Sequence, residues 1–223
     1  MNRQLTLDLP PRHALGREDF FVSKANAAAL AGLDGWREWP GGRMLLIGPE
    51  GAGKTHLSHV WAANTGAMIL SASELPRMAL PQIAGAGVAV VEDAETIAGN
   101  AEAETALFHL HNLMGENRAA LLITAARPVP EWELTLPDLQ SRIQAMAQLS
   151  LAPPDDALLM AVLVKLFADR QITVNPALIP YLTSRMERSF AAARDIVEKL
   201  DREALSTGGG VSLPLAKRVL GRE

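Results

Sequence analysis

One short segment constrains the fold of this chain more than any other: a glycine-rich loop between an apolar run and a helical pattern. Residues 48–55 read Gly-Pro-Glu-Gly-Ala-Gly-Lys-Thr and fit the phosphate-loop pattern G-x-x-x-x-G-K-S/T at every position. The loop follows the apolar run at 44–47 and precedes a helix predicted over 53–63. A strand, a glycine turn and a helix in this order surround an anion with backbone N–H groups and a positive helix end.

The loop also provides the side chains that a nucleotide phosphate needs. Glycines let the backbone turn with its N–H groups inwards, Lys54 brings a charge to the outer phosphates, and the Thr55 hydroxyl is suited to ligate Mg²⁺. The alternative, a chance glycine turn, provides none of these groups together. The predicted nucleotide-binding residues are Pro49, Glu50, Gly51, Ala52, Gly53, Lys54, Thr55 and His56.

Apolar runs alternate with helical patterns through the middle of the chain, which predicts an α/β fold: a five-stranded parallel sheet flanked by helices. The predicted strands are 44–47, 67–70, 88–91, 120–124 and, more weakly, 147–151. The predicted helices between them are 53–63, 73–83 and 101–114. After the double proline at 153–154 the pattern is purely helical, with Asp155, Asn175 and Ser189 as expected N-caps and glycines at 208–210 as a helix end.

These patterns divide the chain into three predicted parts. Residues 1–12 form a terminal peptide, 13–152 an α/β nucleotide-binding subdomain, and 153–223 a small all-helical lid subdomain. The double proline marks the last boundary, because it cannot continue a helix or a sheet ladder.

A pair of acids follows the third predicted strand. Glu92 and Asp93 could hold the water shell of Mg²⁺ and orient an attacking water, so Thr55, Glu92 and Asp93 are the predicted Mg²⁺ residues. The alternative is two solvated acids at a strand end. Binding of a nucleotide is better supported by the sequence than its hydrolysis.

Charge and composition exclude several classes of protein. With 21 Lys+Arg against 25 Asp+Glu the formal net charge is −4, which argues against a protein that mainly coats nucleic acid. There is no cysteine, so disulfides, thiolate zinc sites and cysteine nucleophiles are excluded. No run has the roughly 18 apolar residues of a membrane helix and no signal peptide is evident, so we expect a cytoplasmic protein without a membrane partner.

With these motifs, the chain resembles the AAA+ ATPases, and among them the replication initiator DnaA, over about residues 15–205. The resemblance implies that Thr124 is the sensor 1 residue and that Arg194 is the sensor 2 residue of the lid. It also implies that Arg142, in Ser-Arg-Ile at 141–143, is an arginine finger acting in trans, and that Phe21 and Val22 border the adenine. Ring-type ATPases usually carry Asp before Glu after the third strand, so the reversed pair here implies weak intrinsic hydrolysis.

The beginning of the chain resembles a peptide that docks on the DNA sliding clamp. Residues 4–9 read Gln-Leu-Thr-Leu-Asp-Leu, and Gln4, Leu5, Leu7 and Leu9 are the predicted contacts. The sequence ends at Glu223 without a helix-turn-helix domain, so no direct sequence-specific DNA binding is expected. A DnaA-like module with such a peptide resembles the Hda family, regulators that inactivate DnaA.

The resemblance to the Hda family implies partners and cofactors. The implied partners are DnaA and the β sliding clamp of DNA polymerase III, with a homo-oligomer left open; the implied cofactors are ADP or ATP with Mg²⁺. A helicase loader of the DnaC type is the main alternative, and a P-loop small-molecule kinase is a more distant one. For single residues, Arg142 could be an ordinary surface cation, and Arg194 could pair with Asp195 or Glu198 on its own helix.

Overall fold

The computed structural model describes residues 21–221. The predicted clamp peptide, with Gln4, Leu5, Leu7 and Leu9, lies outside the described residues. Within residues 21–221, no helix is both long enough and apolar enough to cross a bilayer.

Five parallel strands form a single sheet, as the sequence predicts, and their order is β2-β3-β4-β1-β5. The strands are β1 Arg43–Ile47, β2 Met68–Ser71, β3 Val88–Glu92, β4 Ala120–Ala125 and β5 Ala147–Ser150. All six residues of β4 are buried, because helices cover both faces of the sheet and β4 lies at its centre. Apolar runs without alternation therefore form the inner strands.

Helices on both faces of the sheet enclose two apolar cores. These helices are α1 Ala27–Asp34, α2 Lys54–Thr65, α3 Leu80–Gly85, α4 Ala101–Glu116 and α5 Pro137–Gln144. Neighbouring residues of each strand point to opposite faces, so Leu45 and Leu121 contribute to one core and Leu46 and Leu122 to the other. The parallel strands all end at the same edge of the sheet, and the phosphate loop begins there.

The helix predicted over residues 73–83 is wrong. A 3₁₀ turn spans Ala72–Arg77, Met78 is extended with φ −99° and ψ 153°, and α3 begins only at Leu80. Two prolines explain the break: Pro76 lacks the N–H that a longer helix needs, and Pro81 lies in the first turn of α3, where a missing N–H costs nothing.

Four helices form the remaining part of the structure around their own apolar core, which includes Leu163, Phe167 and Leu200. They are α6 Asp156–Asp169, α7 Leu178–Thr183, α8 Phe190–Thr207 and α9 Leu213–Leu220. Two predicted caps are confirmed: Asp155 accepts a hydrogen bond from the Leu158 N–H at 2.8 Å and Ser189 one from Ala192 at 3.0 Å. We call these four helices the lid.

Asn175 does not cap a helix directly, contrary to the prediction. Its side-chain oxygen accepts a hydrogen bond from the Ala177 N–H at 2.9 Å, which forms a local turn, and α7 begins only at Leu178. The helix end predicted at glycines 208–210 is confirmed, since α8 ends at Thr207 and its C-cap Gly208 has φ 65°.

Candidate functional site: the phosphate-loop cleft

The phosphate loop connects β1 to α2 and turns through two glycines in the left-handed region. Gly51 has φ 73° and Gly53 has φ 99°, a conformation that other residues rarely adopt. Gly48 lies so close to Leu151, the residue after β5, that a Cβ on Gly48 would be 2.8 Å from the Leu151 Cβ. Glycine is therefore required at 51 and 53 by the backbone conformation and at 48 by the close approach of Leu151.

Lys54, the first residue of α2, is only 7% exposed although it carries a charge. Its Nζ donates to the carbonyl oxygens of Gly48 at 2.7 Å and Pro49 at 3.2 Å. Both partners are neutral, so the positive charge of Lys54 stays uncompensated at the loop. An anion at this place would be stabilised by that charge and by the N-terminus of α2.

The next residues of α2 continue the site towards the acids of β3. Thr55 is exposed and His56 is half-buried. One turn further on, the Ser58 hydroxyl donates to Glu92 Oε1 at 2.5 Å. Because Ser58 lies three residues after Thr55, this hydrogen bond holds the Glu92 carboxylate on the side of α2 that carries Thr55. Glu92 reaches α2 with a side chain that is one methylene group longer than that of an aspartate.

Asp93 lies beside the predicted sensor residue. It has left-handed backbone angles of φ 52° and ψ 49°, and its side chain is exposed. Its N–H donates to the Thr124 hydroxyl oxygen at 3.2 Å, and Thr124 is 1% exposed. The structure therefore brings Asp93 and Thr124 together and couples the ends of β3 and β4.

Two residues of this region were missed by the sequence analysis. Ser58 could have been suspected from its position one helical turn after Thr55. Glu95 is the third acid within four residues, and its Oε1 accepts a hydrogen bond from the Ala126 N–H at 2.6 Å. Its Oε2 is buried and has no hydrogen-bond partner among residues 21–221. Glu95 thus adds a carboxylate to the same edge of the sheet.

The residues predicted to border the adenine begin the described chain. Phe21 is 44% and Val22 60% exposed. The buried Asn26 side chain fixes this segment, since it donates to the Phe21 carbonyl at 2.9 Å and accepts from the Ser23 N–H at 2.8 Å. Exposed apolar side chains on a fixed turn are suited to contact a flat base.

The first turn of α8 in the lid lies directly on the phosphate loop. Its Phe190 N–H donates to the Gly51 carbonyl at 3.1 Å. A Cβ at Gly53 would lie 2.7 Å from Phe190 Cε2, and a Cβ at Gly51 would collide with Ser189. Arg194 follows Phe190 by one helical turn and is exposed, so the predicted sensor 2 residue is on the helix that touches the loop.

The cleft fits a nucleotide with Mg²⁺ by the chemistry of its donors. Among the described residues, no three His, Asp or Glu side chains form a group that could enclose a metal ion. Mg²⁺ does not need such a group, because it is commonly bound by one or two protein oxygens together with phosphates and waters. The Thr55 hydroxyl and the neighbouring Glu92 and Asp93 carboxylates are the oxygens available here.

Arg142 lies away from the cleft, at the opposite end of the sheet. It is in the last turn of α5, and β5 begins shortly afterwards at Ala147, beside the start of β1. Its side chain is exposed, and its guanidinium carbon lies 5.1 Å from the centre of the Phe108 ring. The residues predicted for catalysis therefore belong to two separate places.

A buried histidine lies near Arg142. Burial, followed by the positive charge of Arg43 and more weakly that of Arg142, lowers the pKa of His111 from 6.5 to about 4. The unfolded chain therefore takes up a proton at a pH where the folded protein does not. We expect stability to fall as the pH is lowered from 6.5 to 4, by about 1–3 kcal/mol from this group.

Urea unfolding of His111→Gln across this range measures the contribution. In this variant the free energy of unfolding should depend less on pH than in the wild type. His109→Gln, at an exposed position on the same helix, should keep the pH dependence of the wild type. Equal slopes in the two variants would contradict the assignment.

Comparison with solved structures agrees with this architecture. Domain III of the Thermotoga maritima replication initiation protein DnaA superposes with a TM-score of 0.81 at 19% identity, over 96% of this chain and 98% of that chain. AMPPCP-bound DnaA from Aquifex aeolicus gives 0.69 at 14% identity, over 85% and 66%. A variant of Thermotoga maritima RuvB gives 0.67 at 15% identity, over 90% and 69%.

No family model matches the sequence. The structural likenesses nevertheless define the fold: the chain shares the fold of domain III of DnaA, with a five-stranded parallel sheet, flanking helices and a helical lid. The predicted fold class is therefore confirmed.

Proposed function

We propose that this chain is a nucleotide-bound regulator that stimulates hydrolysis of the ATP held by DnaA and so lowers initiation of replication. The observation that carries the proposal is the separation of two charged features on one sheet. The loop at 48–55 lies at the carboxyl edge, whereas the exposed Arg142 lies at the opposite end. One end is suited to hold a nucleotide, and the other to present a cation to a second protein.

The loop residues would hold ADP or ATP. Backbone N–H groups of 51–55 and Lys54 Nζ would face the phosphates, Thr55 would provide an oxygen for Mg²⁺, and Phe21 and Val22 would contact the base. Lys54 would face the phosphate chain of such a nucleotide, and Arg194, one helical turn after Phe190, would be the first cation of α8 after the loop contact. The AMPPCP-bound state of DnaA from Aquifex aeolicus supports nucleotide binding by this fold.

Intrinsic hydrolysis should be weak. The Glu92 carboxylate accepts a hydrogen bond from the Ser58 hydroxyl. Asp93 has a shorter side chain, and its backbone is in the left-handed conformation. A carboxylate that is held by a hydroxyl donor is less free to take a proton from water. Retained ADP would then set the shape of the protein, and its turnover would not be the output.

Arg142 is the proposed group for the reaction on the partner. A guanidinium that reaches the terminal phosphates of a neighbour's ATP can neutralise the charge that develops during phosphoryl transfer. No ion pair between Arg142 and a carboxylate is found within the described part of the chain. The Arg142 guanidinium lies over the Phe108 ring, and the residue as a whole is exposed.

The clamp peptide at 4–9 would increase the local concentration of this protein at replicating DNA. A second attachment adds affinity without adding chemistry, through effective concentration. Gln4 followed by leucines at 5, 7 and 9 is the sequence feature that supports this attachment.

The test mixes the protein, clamp-loaded DNA and DnaA carrying labelled ATP, and measures loss of that ATP. Wild type should accelerate the loss, and Arg142→Ala should return DnaA to its unstimulated rate. Arg202→Ala, which removes an exposed arginine of the lid, is the matched control and should stay active. Gln4→Ala and Leu7→Ala should lose both clamp capture and stimulation.

Two results would contradict the proposal. Full stimulation by Arg142→Ala would remove the arginine from the mechanism. High ATP turnover by the isolated protein, increased further by single-stranded DNA, would favour a helicase loader instead.

A further inference from the structure

The peptide group between Ala125 and Ala126 joins the phosphate loop to the acidic turn that follows β3. Its carbonyl oxygen accepts a hydrogen bond from the N–H of Gly48, the first residue of the loop, at 3.1 Å. Its N–H donates to Oε1 of Glu95 at 2.6 Å. One planar group at the end of β4 is therefore held from both sides, by the loop and by a carboxylate.

Gly48 also contacts the cation of the loop. Its carbonyl oxygen accepts a buried hydrogen bond from Lys54 Nζ at 2.7 Å. Three successive hydrogen bonds thus connect the Lys54 ammonium to the Glu95 carboxylate, at 2.7, 3.1 and 2.6 Å. Hydrogen bonds in such a chain polarise one another, and a charged acceptor at its end strengthens them. The chain gives Glu95 a physical connection to the position of Lys54.

The turn that carries Glu95 is fixed on the end of β4. The Asp93 carbonyl oxygen accepts hydrogen bonds from the N–H and the hydroxyl of Thr96, at 3.0 and 2.7 Å, so the turn is closed by its own residues. The Asp93 N–H donates to the Thr124 hydroxyl oxygen at 3.2 Å. Together with the hydrogen bond between Glu95 and Ala126, this attaches the turn to β4 at two points.

Burial of the Glu95 carboxylate also has an unfavourable part. Its second oxygen, Oε2, is buried and has no hydrogen-bond partner among residues 21–221. Such an oxygen loses its hydration without replacement, and an apolar side chain of similar size would avoid that loss. The interaction that a carboxylate contributes here is therefore the one through Oε1, with the peptide group that holds Gly48.

We propose that Glu95 is a positioning residue of the nucleotide site. Its carboxylate orients the peptide group after Ala125 so that the carbonyl accepts from the Gly48 N–H, and this keeps the Gly48 carbonyl within reach of Lys54. Glu95 acts through the loop and does not itself contact the phosphates. The role deepens the proposed function, since it rests on binding of ADP or ATP at 48–55.

An alternative is that Glu95 only stabilises the fold, by joining the turn to β4. Both roles predict a lower melting temperature when Glu95 is replaced. A purely stabilising role leaves the loop unchanged in those molecules that are folded. A positioning role also loosens the Gly48 N–H and weakens nucleotide binding at a temperature where the protein is fully folded.

The first measurement is amide hydrogen exchange of the full chain without nucleotide, followed by NMR at the Gly48 N–H. The Ala120 N–H, which donates to the Gly87 carbonyl at the opposite end of β4, is the reference. In Glu95→Met, Gly48 should exchange at least ten times faster relative to Ala120 than in wild type. Glu95→Gln keeps an acceptor but not the charge, and should give an intermediate rate.

The second measurement is titration with ADP well below the melting transition. Glu95→Met should bind ADP about ten times more weakly than wild type, because Lys54 is no longer held in place. Asn100→Ala is the control. It removes the side-chain cap of α4, so it lowers the melting temperature while the loop contacts remain, and it should bind ADP like wild type.

The outcomes separate this role from the proposed function. Unchanged relative exchange of Gly48 in both Glu95 variants would overturn the positioning role, and so would faster exchange with unchanged ADP affinity. If wild type binds no ADP while Gly48 exchanges faster in both variants, the proposed nucleotide binding fails and the control of the loop by Glu95 stands. Should Glu95→Met not fold, Glu95→Gln decides by the same comparison.

Discussion

Lys54→Met is expected to weaken nucleotide binding severely while leaving the fold intact. The ammonium of Lys54 has only carbonyl partners in the loop, so its charge is available to the phosphates. Loss of a buried, hydrogen-bonded charge from such a contact costs about 3–4 kcal/mol, which corresponds to a decrease in affinity of about 10²–10³-fold. Isothermal titration with ADP measures the change.

The stability of this variant should change little. Methionine keeps the length of the lysine stem in its 7% exposed position, and no carboxylate loses a partner. Lys24→Met, at an exposed position near the predicted adenine contacts, is the control and should bind ADP normally. Unchanged affinity in Lys54→Met would show that the nucleotide is bound elsewhere.

Glu104→Ala is expected to cause the largest loss of stability. Glu104 is 0% exposed, and its carboxylate accepts hydrogen bonds from the Gly99 N–H at 2.9 Å and the Leu136 N–H at 2.7 Å. It also accepts from the N–H and the hydroxyl of Thr135, each at 2.9 Å to Oε2. Alanine would leave these donors buried without an acceptor, at a cost of about 3–5 kcal/mol.

The pH dependence of this contribution has a definite sign. Burial raises the pKa of Glu104, but hydrogen bonds from Thr135, Gly99 and Leu136 outweigh it, so the pKa lies below its usual 4.5. The stabilisation is present above pH 4.5 and is lost as the pH falls through the lowered pKa. The contribution of His111 begins to fall below pH 6.5, whereas that of Glu104 is retained down to pH 4.5, so measurements between these two values follow His111 without Glu104.

Urea unfolding at pH 7 compares Glu104→Ala with Glu102→Ala, an exposed acid in the same first turn of α4. Only the Glu104 variant should lose several kcal/mol. Because Leu136 immediately precedes α5, this variant should also disturb Arg142 and, with it, the proposed stimulation of DnaA. A decrease of less than about 1 kcal/mol in the free energy of unfolding would contradict the conclusion that the buried Glu104 carboxylate holds the segments at Gly99 and Thr135 together by hydrogen bonds.

The parts of this fold that follow from local chemistry could be predicted from the sequence. Apolar runs mark the buried strands. Asp155 and Ser189 mark the beginnings of helices, because the N–H group that each side chain caps lies only three residues further along the chain. The helix over 73–83 was predicted wrongly, since apolar periodicity was given more weight than Pro76 and Pro81.

The parts of the candidate site that depend on distant pairs could not be predicted. Ser58 and Glu92 are 34 residues apart, and Glu95 meets Ala126 across 31 residues. The same holds for Arg43, which meets α4 only because β1 is inserted between β4 and β5. Residue spacing in the sequence indicates which side chains one loop carries. Which loops lie next to each other at the edge of the sheet is determined by the strand order, which differs from the order along the chain.

The close contact between α8 and the phosphate loop has one further consequence. Because Phe190 donates to Gly51 and covers Gly53, any widening of the loop must displace the start of α8. The seventeen residues that follow Phe190 in α8 would then act as a lever about 25 Å long, at 1.5 Å per residue. A small displacement of the loop would then be amplified into a larger displacement of the C-terminal end of α8, near Gly208. A molecule bound at that end would experience the change.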